Sequence, residues 1–189
     1  MGALERALLL DIPETLETAR LRLCAPQPGR GAVIHEAVLE SFTRLRPWMP
    51  WARDVPGQEQ SEKFCRESRV KWHARETLDF TVFRKEDGRL VGGSGLHTID
   101  WSVPRFEIGY WIRASCERQG YASETVLALV DFARDRLGAR RLEITSDARN
   151  AGSRRVAEKA GFALDAILRQ RRRDNDDELS DACLFSRVF

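Results

Sequence analysis

The sequence is poor in the features that define several common classes of protein. Its four cysteines (Cys24, Cys65, Cys116, Cys183) are scattered, with no CxxC pair and no histidine at metal-ligand spacing. That excludes a disulfide framework or zinc ribbon, and it suits a reduced, cytoplasmic chain without a bound metal. Long apolar runs are absent near the start. Ala7-Leu8-Leu9-Leu10 is too short to span a bilayer, and Asp11 and Glu14 follow it without a small-residue cleavage site, so no membrane association is expected. Charge of one sign is not in excess, and a formal net charge of +2 gives no reason to expect a nucleic-acid partner. Internal repeats, low-complexity tracts and long Gly/Ser linkers are missing as well. The expectation is one domain over residues 1–189 with a full hydrophobic core.

What is present is an alternation of strand and helix periods. Leu21 and Leu23 alternate with Arg20 and Arg22 in a first strand over residues 18–24. A helix over residues 32–42 carries the stripe Val33, Ala37, Val38 and Phe42, and a charged helix is predicted over 59–73. Between them, Pro47 and Pro50 stiffen an aromatic loop holding Trp48, Met49 and Trp51. Segments 78–84 and 90–98 flank the turn Glu86-Asp87-Gly88, a hairpin signal. In segment 105–113, Phe106, Ile108, Tyr110 and Ile112 face one way, and Glu107, Gly109 and Trp111 the other. The period then lengthens. Residues 123–137 form an amphipathic helix through Val126, Val130, Ala133 and Leu137, followed by a strand at Leu142 and Ile144 and a helix over 150–159. Strands over 162–168 and 182–188 enclose a charged loop, 169–181. A strand–helix–strand unit from Phe106 to Ile144 predicts one parallel pair in an otherwise antiparallel sheet, a mixed α/β fold.

The chemistry is concentrated between Ile112 and Ser123. A ligand phosphate needs converging backbone N–H groups, and a helix start supplies them unpaired. In Glu117-Arg118-Gln119-Gly120-Tyr121-Ala122-Ser123, Gly120 permits close approach, Ala122 keeps the next turn small, and Arg118 adds positive charge. An ordinary strand-to-helix turn also uses a glycine, so the loop alone is a weak signal. Asn150 and Ser153 begin the next helix after the next parallel strand. Both are common helix caps, yet they open on the same side of the sheet as Gly120.

Taken in order, these segments resemble the GNAT superfamily of N-acetyltransferases, and within it the branch acting on ribosomal-protein N-termini (the RimJ/RimL type). The acetyl-CoA signature Gln/Arg-x-x-Gly-x-Gly/Ala is matched at Gly120 and Ala122, with Glu117 departing at its first position. Further matches are Thr18-Ala19-Arg20-Leu21-Arg22-Leu23, Pro47-Trp48-Met49-Pro50-Trp51, Glu107-Ile108-Gly109-Tyr110-Trp111-Ile112, Asn150-Ala151-Gly152-Ser153 and Glu158-Lys159-Ala160-Gly161-Phe162. The resemblance implies a split, V-shaped, mostly antiparallel seven-stranded sheet with one central parallel pair and helices on both faces. Acetyl-CoA would lie between the parallel strands, its pyrophosphate on the amides of Arg118, Gln119, Gly120, Tyr121, Ala122 and Ser123, flanked by Asn150 and Ser153.

The same resemblance implies direct acetyl transfer to a primary amine, foremost the N-terminal α-amine of a protein or peptide. A backbone amide at Ile112 or Arg113 would polarise the thioester carbonyl. Many relatives carry a tyrosine seven residues after the asparagine. Ala157 stands there, so Ser153 would take over the contact with the CoA sulfur. Glu107 matches a strand carboxylate that serves as base, with His97 and Asp100 as runners-up. Trp48, Met49 and Trp51 are candidate walls of the acceptor cleft. Asp174, Asp176, Asp177 and Glu178 would attract a cationic acceptor or be offset by the adjacent arginines 169 and 171–173. A small-molecule amine acceptor (an aminoglycoside, polyamine or amino acid) and a non-catalytic CoA sensor or scaffold are the competing readings. Homodimerisation is compatible with the family but has no signature in the sequence.

Overall fold

The computed structural model describes residues 2–189, with every strand in one sheet ordered β1-β2-β3-β4-β5-β6-β8-β7. The strands are β1 (Thr15–Glu17), β2 (Leu21–Cys24), β3 (Leu78–Arg84), β4 (Leu90–Asp100), β5 (Arg105–Ile112), β6 (Arg141–Asp147), β7 (Ala163–Arg173) and β8 (Leu179–Val188). The helices are α1 (Ala3–Leu8), α2 (Gly31–Leu45), α3 (Gln58–Ala74), α4 (Tyr121–Leu137) and α5 (Ala151–Lys159). Among the described residues only β5 and β6 pair in parallel; all other neighbours are antiparallel.

Two local expectations change. The sheet has eight strands, not seven. The added strand, β1, is a three-residue edge paired through Leu16↔Leu23, too short to show a period of its own. Residues 169–181 are mostly ribbon, not loop: β7 runs on to Arg173, β8 starts at Leu179, and only the tip turns. Solvent lies on both sides of much of this ribbon, so no apolar alternation marks it.

Two apolar layers hold the sheet. On one face Val126, Leu129, Val130 and Ala133 of α4 pack against Phe106, Ile108, Leu142 and Ile144, all of them buried. On the other, Ile34, Ala37 and Val38 of α2 meet Cys65 of α3, Leu90 and the partly buried Trp111. Gly31 allows α2 and α3 to touch, since a β-carbon there would fall 2.6 Å from Glu62 Cα.

The feature that positions the site is the short parallel pairing. β5 and β6 register only at Arg105↔Arg141, Phe106↔Leu142 and Glu107↔Glu143. Beyond Glu107 they diverge, β5 staying with β4 to Ile112 and β6 with β8 to Asp147. The diverging edges form a wedge-shaped gap that opens toward the first turns of α4 and α5.

Candidate active site

The loop leaving β5 is held from two sides. On one side, the amide of Ala114 donates to Ser41 Oγ at 2.9 Å and that of Ser115 to Glu40 Oε1 at 2.9 Å. Glu40 also receives Arg113 Nε at 2.6 Å, and the hydrogen bonds from Arg113 and then Ser115 hold its carboxyl at about 2, well below the usual 4.5. On the other side, Arg20 donates through Nε to Glu124 Oε2 at 2.7 Å and through Nη1 to the carbonyl of Gln119 at 3.0 Å, with its guanidinium over the Tyr121 ring. Burial of Glu124 would raise its pKa, but hydrogen bonds from Thr18 and Arg20 outweigh that and lower it.

Between these anchors the backbone turns with positive φ at Arg118 (59°) and Gly120 (84°). Among the described residues, none accepts a hydrogen bond from the amides of residues 118–123; the first amide of α4 with a partner is that of Glu124, to the Gly120 carbonyl at 3.0 Å. Consecutive unpaired N–H groups at a helix start, in a nest of left-handed turns, form an anion cradle. The structure thus brings Arg118, Gln119, Gly120, Tyr121, Ala122 and Ser123 together as the sequence implies.

The second helix start behaves partly as a cap. Asn150 Oδ1 accepts from the Ser153 amide at 3.0 Å, so its side-chain oxygen is committed to α5. The Ser153 hydroxyl lies 2.8 Å from Tyr110 OH, which also reaches the Ser153 carbonyl at 3.1 Å. Tyr110 therefore bridges from β5 across the gap to α5. Burial pushes its phenol up to about 12, against a smaller lowering by the Ser153 hydrogen bond. Strand alternation puts Tyr110 on the Phe106 face, but residue spacing does not report a bridge across the gap.

Of the two residues proposed to polarise a carbonyl, one is corrected. The Arg113 amide donates to the Val91 carbonyl at 2.8 Å, and its buried guanidinium is bound by Glu36 and Glu40, so neither group faces a ligand. In an antiparallel pair the main-chain groups alternate inward and outward. With Arg113 bonded to β4, the N–H of Ile112 points into the gap, where β5 has no partner.

Beside the gap, on the α2–α3 face, is a cavity of ≈ 680 Å³, lined among others by Met49, Trp51, Phe64, Trp111, Asp79 and His97. Trp51 and Trp111 meet edge-to-face with centroids 6.2 Å apart. Trp48 is not part of this wall; its carbonyl accepts from Arg172 at 3.0 Å. Glu107 does not line the cavity either, and its Oε2 accepts the Thr98 hydroxyl at 3.0 Å. The acidic hairpin tip also differs from expectation. Its acids pair with distant arginines, not adjacent ones: Asp176 with Arg46 at 2.7 Å, Asp177 with Arg53 at 2.7 Å and Asp174 with Arg149 at 2.9 Å. The Asp176 and Asp177 pairs, with Asn175 Nδ2 donating to the carbonyls of Arg46 and Met49, dock the tip on the 46–53 segment at the cavity mouth, while Asp174 ties it to the turn before α5.

Comparison with known proteins agrees with this geometry. Residues 20–163 match the acetyltransferase (GNAT) domain family, and the chain belongs to that family. It is similar to the ribosomal-protein-serine acetyltransferase of Escherichia coli (strain K12), at 27% identity over 93% of this chain and 97% of the relative. It is 32% identical to "Probable N-acetyltransferase YjcK" of Bacillus subtilis (strain 168), over 69% of this chain and 70% of that one. Its fold matches RimL, a ribosomal-protein α-N-acetyltransferase solved in complex with coenzyme A, with a TM-score of 0.85, 24% identity and coverage of 94% and 97%. The chain is accordingly an N-acetyltransferase.

Proposed function

We propose that the chain transfers acetyl from acetyl-CoA directly to the N-terminal α-amine of a protein or peptide. The observation that carries this reading is the run of unpaired amides 118–123, anchored on both sides and set beside the wedge between β5 and β6. These donors suit a diphosphate, and the wedge suits an extended acyl carrier reaching toward the cavity.

Each polar group then has a task. The Ile112 N–H hydrogen-bonds the thioester carbonyl oxygen and stabilises the charge that develops there. The Ser153 hydroxyl, itself held by Tyr110, donates to the departing sulfur. Asp79 and His97 of the cavity are the candidate proton acceptors, with Glu107 outside its lining and bound to the Thr98 hydroxyl. An α-amine titrates near ~8 and a lysine near ~10.4, so a modest base at neutral pH suffices for the former. The acceptor class is supported by the ribosomal-protein relatives, and the two carboxylates of the cavity, Asp54 and Asp79, suit an ammonium group. Action on ribosomal-type acceptors would place the protein in the cytoplasm, with residues 1–189 working as one acetyltransferase domain.

The test is thiol release from acetyl-CoA with panels of N-terminally varied peptides, polyamines and aminoglycosides. Turnover on peptides with a free α-amine, lost when that amine is blocked, supports the reading. Turnover confined to polyamines or aminoglycosides replaces it with the small-molecule reading. Coenzyme A binding without turnover on any amine points to a sensor.

A further inference from the structure

We propose that His97, oriented by Asp79, takes the ammonium proton of the acceptor amine, the role that the family resemblance assigns to Glu107. This rests on the acetyl-transfer reading above. Both residues line the cavity, with His97 Nε2 3.5 Å from Asp79 Oδ1, while Asp79 Oδ2 accepts the Thr77 hydroxyl at 3.0 Å.

The sheet makes room for this pair by leaving side chains out beneath it. Asp79, Gly95 and Gly109 form one row across β3, β4 and β5. A β-carbon on Gly95 would fall 2.9 Å from Asp79 Oδ1, and one on Gly109 would fall 3.2 Å from His97 Cδ2 and 3.3 Å from Nε2. Glycine inside a strand weakens it, and here it supplies the floor on which carboxylate and imidazole lie. A bulge follows immediately, the β4–β5 register shifting between His97 and Asp100, with the β-branched Thr98 at φ 47°. Bulges re-aim neighbouring side chains, and a β-branched residue at positive φ is strained, as backbone at functional sites often is.

The charged groups beside His97 are Asp79 from β3 and Glu107, its cross-strand partner on β5, and Arg53 and Asp54 line the same cavity from the loop over it. Arg53 is held by Asp177, and the α2 and α3 residues that line the cavity (Ile34, Val38, Gln60, Ser61, Phe64) carry no charge. Glu107, outside the cavity lining, is bound to the Thr98 hydroxyl. Gly109 lies three residues before Ile112, about 10 Å along the strand, farther than the roughly 6 Å that one water spans, so a chain of waters would carry the proton from an amine at the carbonyl to the imidazole.

The step balances. His97 takes one proton from the ammonium and later releases it to solvent. The freed lone pair forms the C–N bond, and the C–S bond breaks with its electrons on sulfur. The second nitrogen proton ends on that sulfur. Asp79 is a positioning residue that stabilises the imidazolium.

The experiment is the pH dependence of kcat/KM with an N-terminal peptide for wild type, His97→Ala, His97→Gln, Asp79→Asn and Glu107→Gln, beside coenzyme A affinity by calorimetry. Expected is a loss of ~100-fold at neutral pH in both His97 variants, with the acidic limb gone. Added imidazole should restore activity to His97→Ala. Asp79→Asn should lose ~10-fold and displace the limb, while Glu107→Gln keeps the limb in place. All variants should bind coenzyme A within ~2-fold of wild type, which separates loss of the base from loss of the fold. A retained limb in the His97 variants, or its disappearance in Glu107→Gln, overturns the assignment. Wild-type protein that does not bind coenzyme A overturns the acetyl-transfer reading itself.

Discussion

Replacing Gly120 by alanine should weaken coenzyme A binding far more than an equally strained replacement elsewhere. Gly120 sits at φ +84°, and a β-carbon there would fall 3.3 Å from Arg20 Nη2. An L-residue in the left-handed region costs about 1–2 kcal/mol, and the guanidinium that braces the loop must also give way. Gly88, at φ +70° with nothing within 4 Å of the added carbon, supplies the control. Both alanine variants should lose about 1–2 kcal/mol of stability, which for a chain of this size lowers Tm by roughly 2–8 °C. Only Gly120→Ala misaligns the amides of residues 118–123. Charge-assisted hydrogen bonds contribute about 1.5–3 kcal/mol each, so losing one raises Kd about 10- to 150-fold. Calorimetric titration of coenzyme A with both variants measures this directly. If Gly120→Ala binds within about twofold of Gly88→Ala at matched Tm loss, the anchored amides are not the grip on the diphosphate.

Other contacts have their own signatures. Ser153→Ala should lower kcat more than about threefold, roughly 0.6 kcal/mol, while acetyl-CoA KM stays constant; Tyr110→Phe should follow it, and a smaller effect in steady-state kinetics would remove the leaving-group role. Asp147 is almost fully buried; burial would raise its pKa, yet the Arg149 guanidinium and amide hold it at about 2 instead of 3.8. Its stabilising share, about 2 kcal/mol by linkage, is complete above pH ~4 and lost as pH falls toward about 2. Urea unfolding of Asp147→Asn should therefore show lower stability at pH 7 and a shallower acid decline than wild type. Asp176→Asn with Asp177→Asn should raise acceptor KM in a salt-dependent manner and leave coenzyme A affinity unchanged, because those carboxylates dock the hairpin tip by exposed pairs at the cavity mouth, away from the amide cradle.

Much of the architecture is legible in local pattern. The 3.6-residue period of α4, the two-residue alternation of β5 and the glycines that start and stop α4 are properties of neighbouring residues, so they survive in a linear string. The cradle is legible for the same reason: Arg118, Gly120 and Ala122 are contiguous, and a helix start exposes its amides whatever surrounds it. Arg20 and Glu124 lie far apart in sequence. Their bond explains the Thr18-Ala19-Arg20 segment as a brace for the loop, which spacing alone does not reveal. The exposed ribbon of β7 and β8 also escaped, because strands without a buried face carry no alternation.

The sequence by itself determined the element order from β2 onward, the parallel pair and the helix start with its unpaired amides, since each follows from propensity and periodicity within a few residues. Only the tertiary structure decided which main-chain N–H faces the gap, which tyrosine meets Ser153, and which of Glu107 and His97 enters the cavity. Those outcomes depend on strand register, on a bulge beside Thr98 and on glycines that create room for side chains from other strands. The physical reason is that a site is assembled by contacts between distant segments, whose free energies exist only once the sheet has closed.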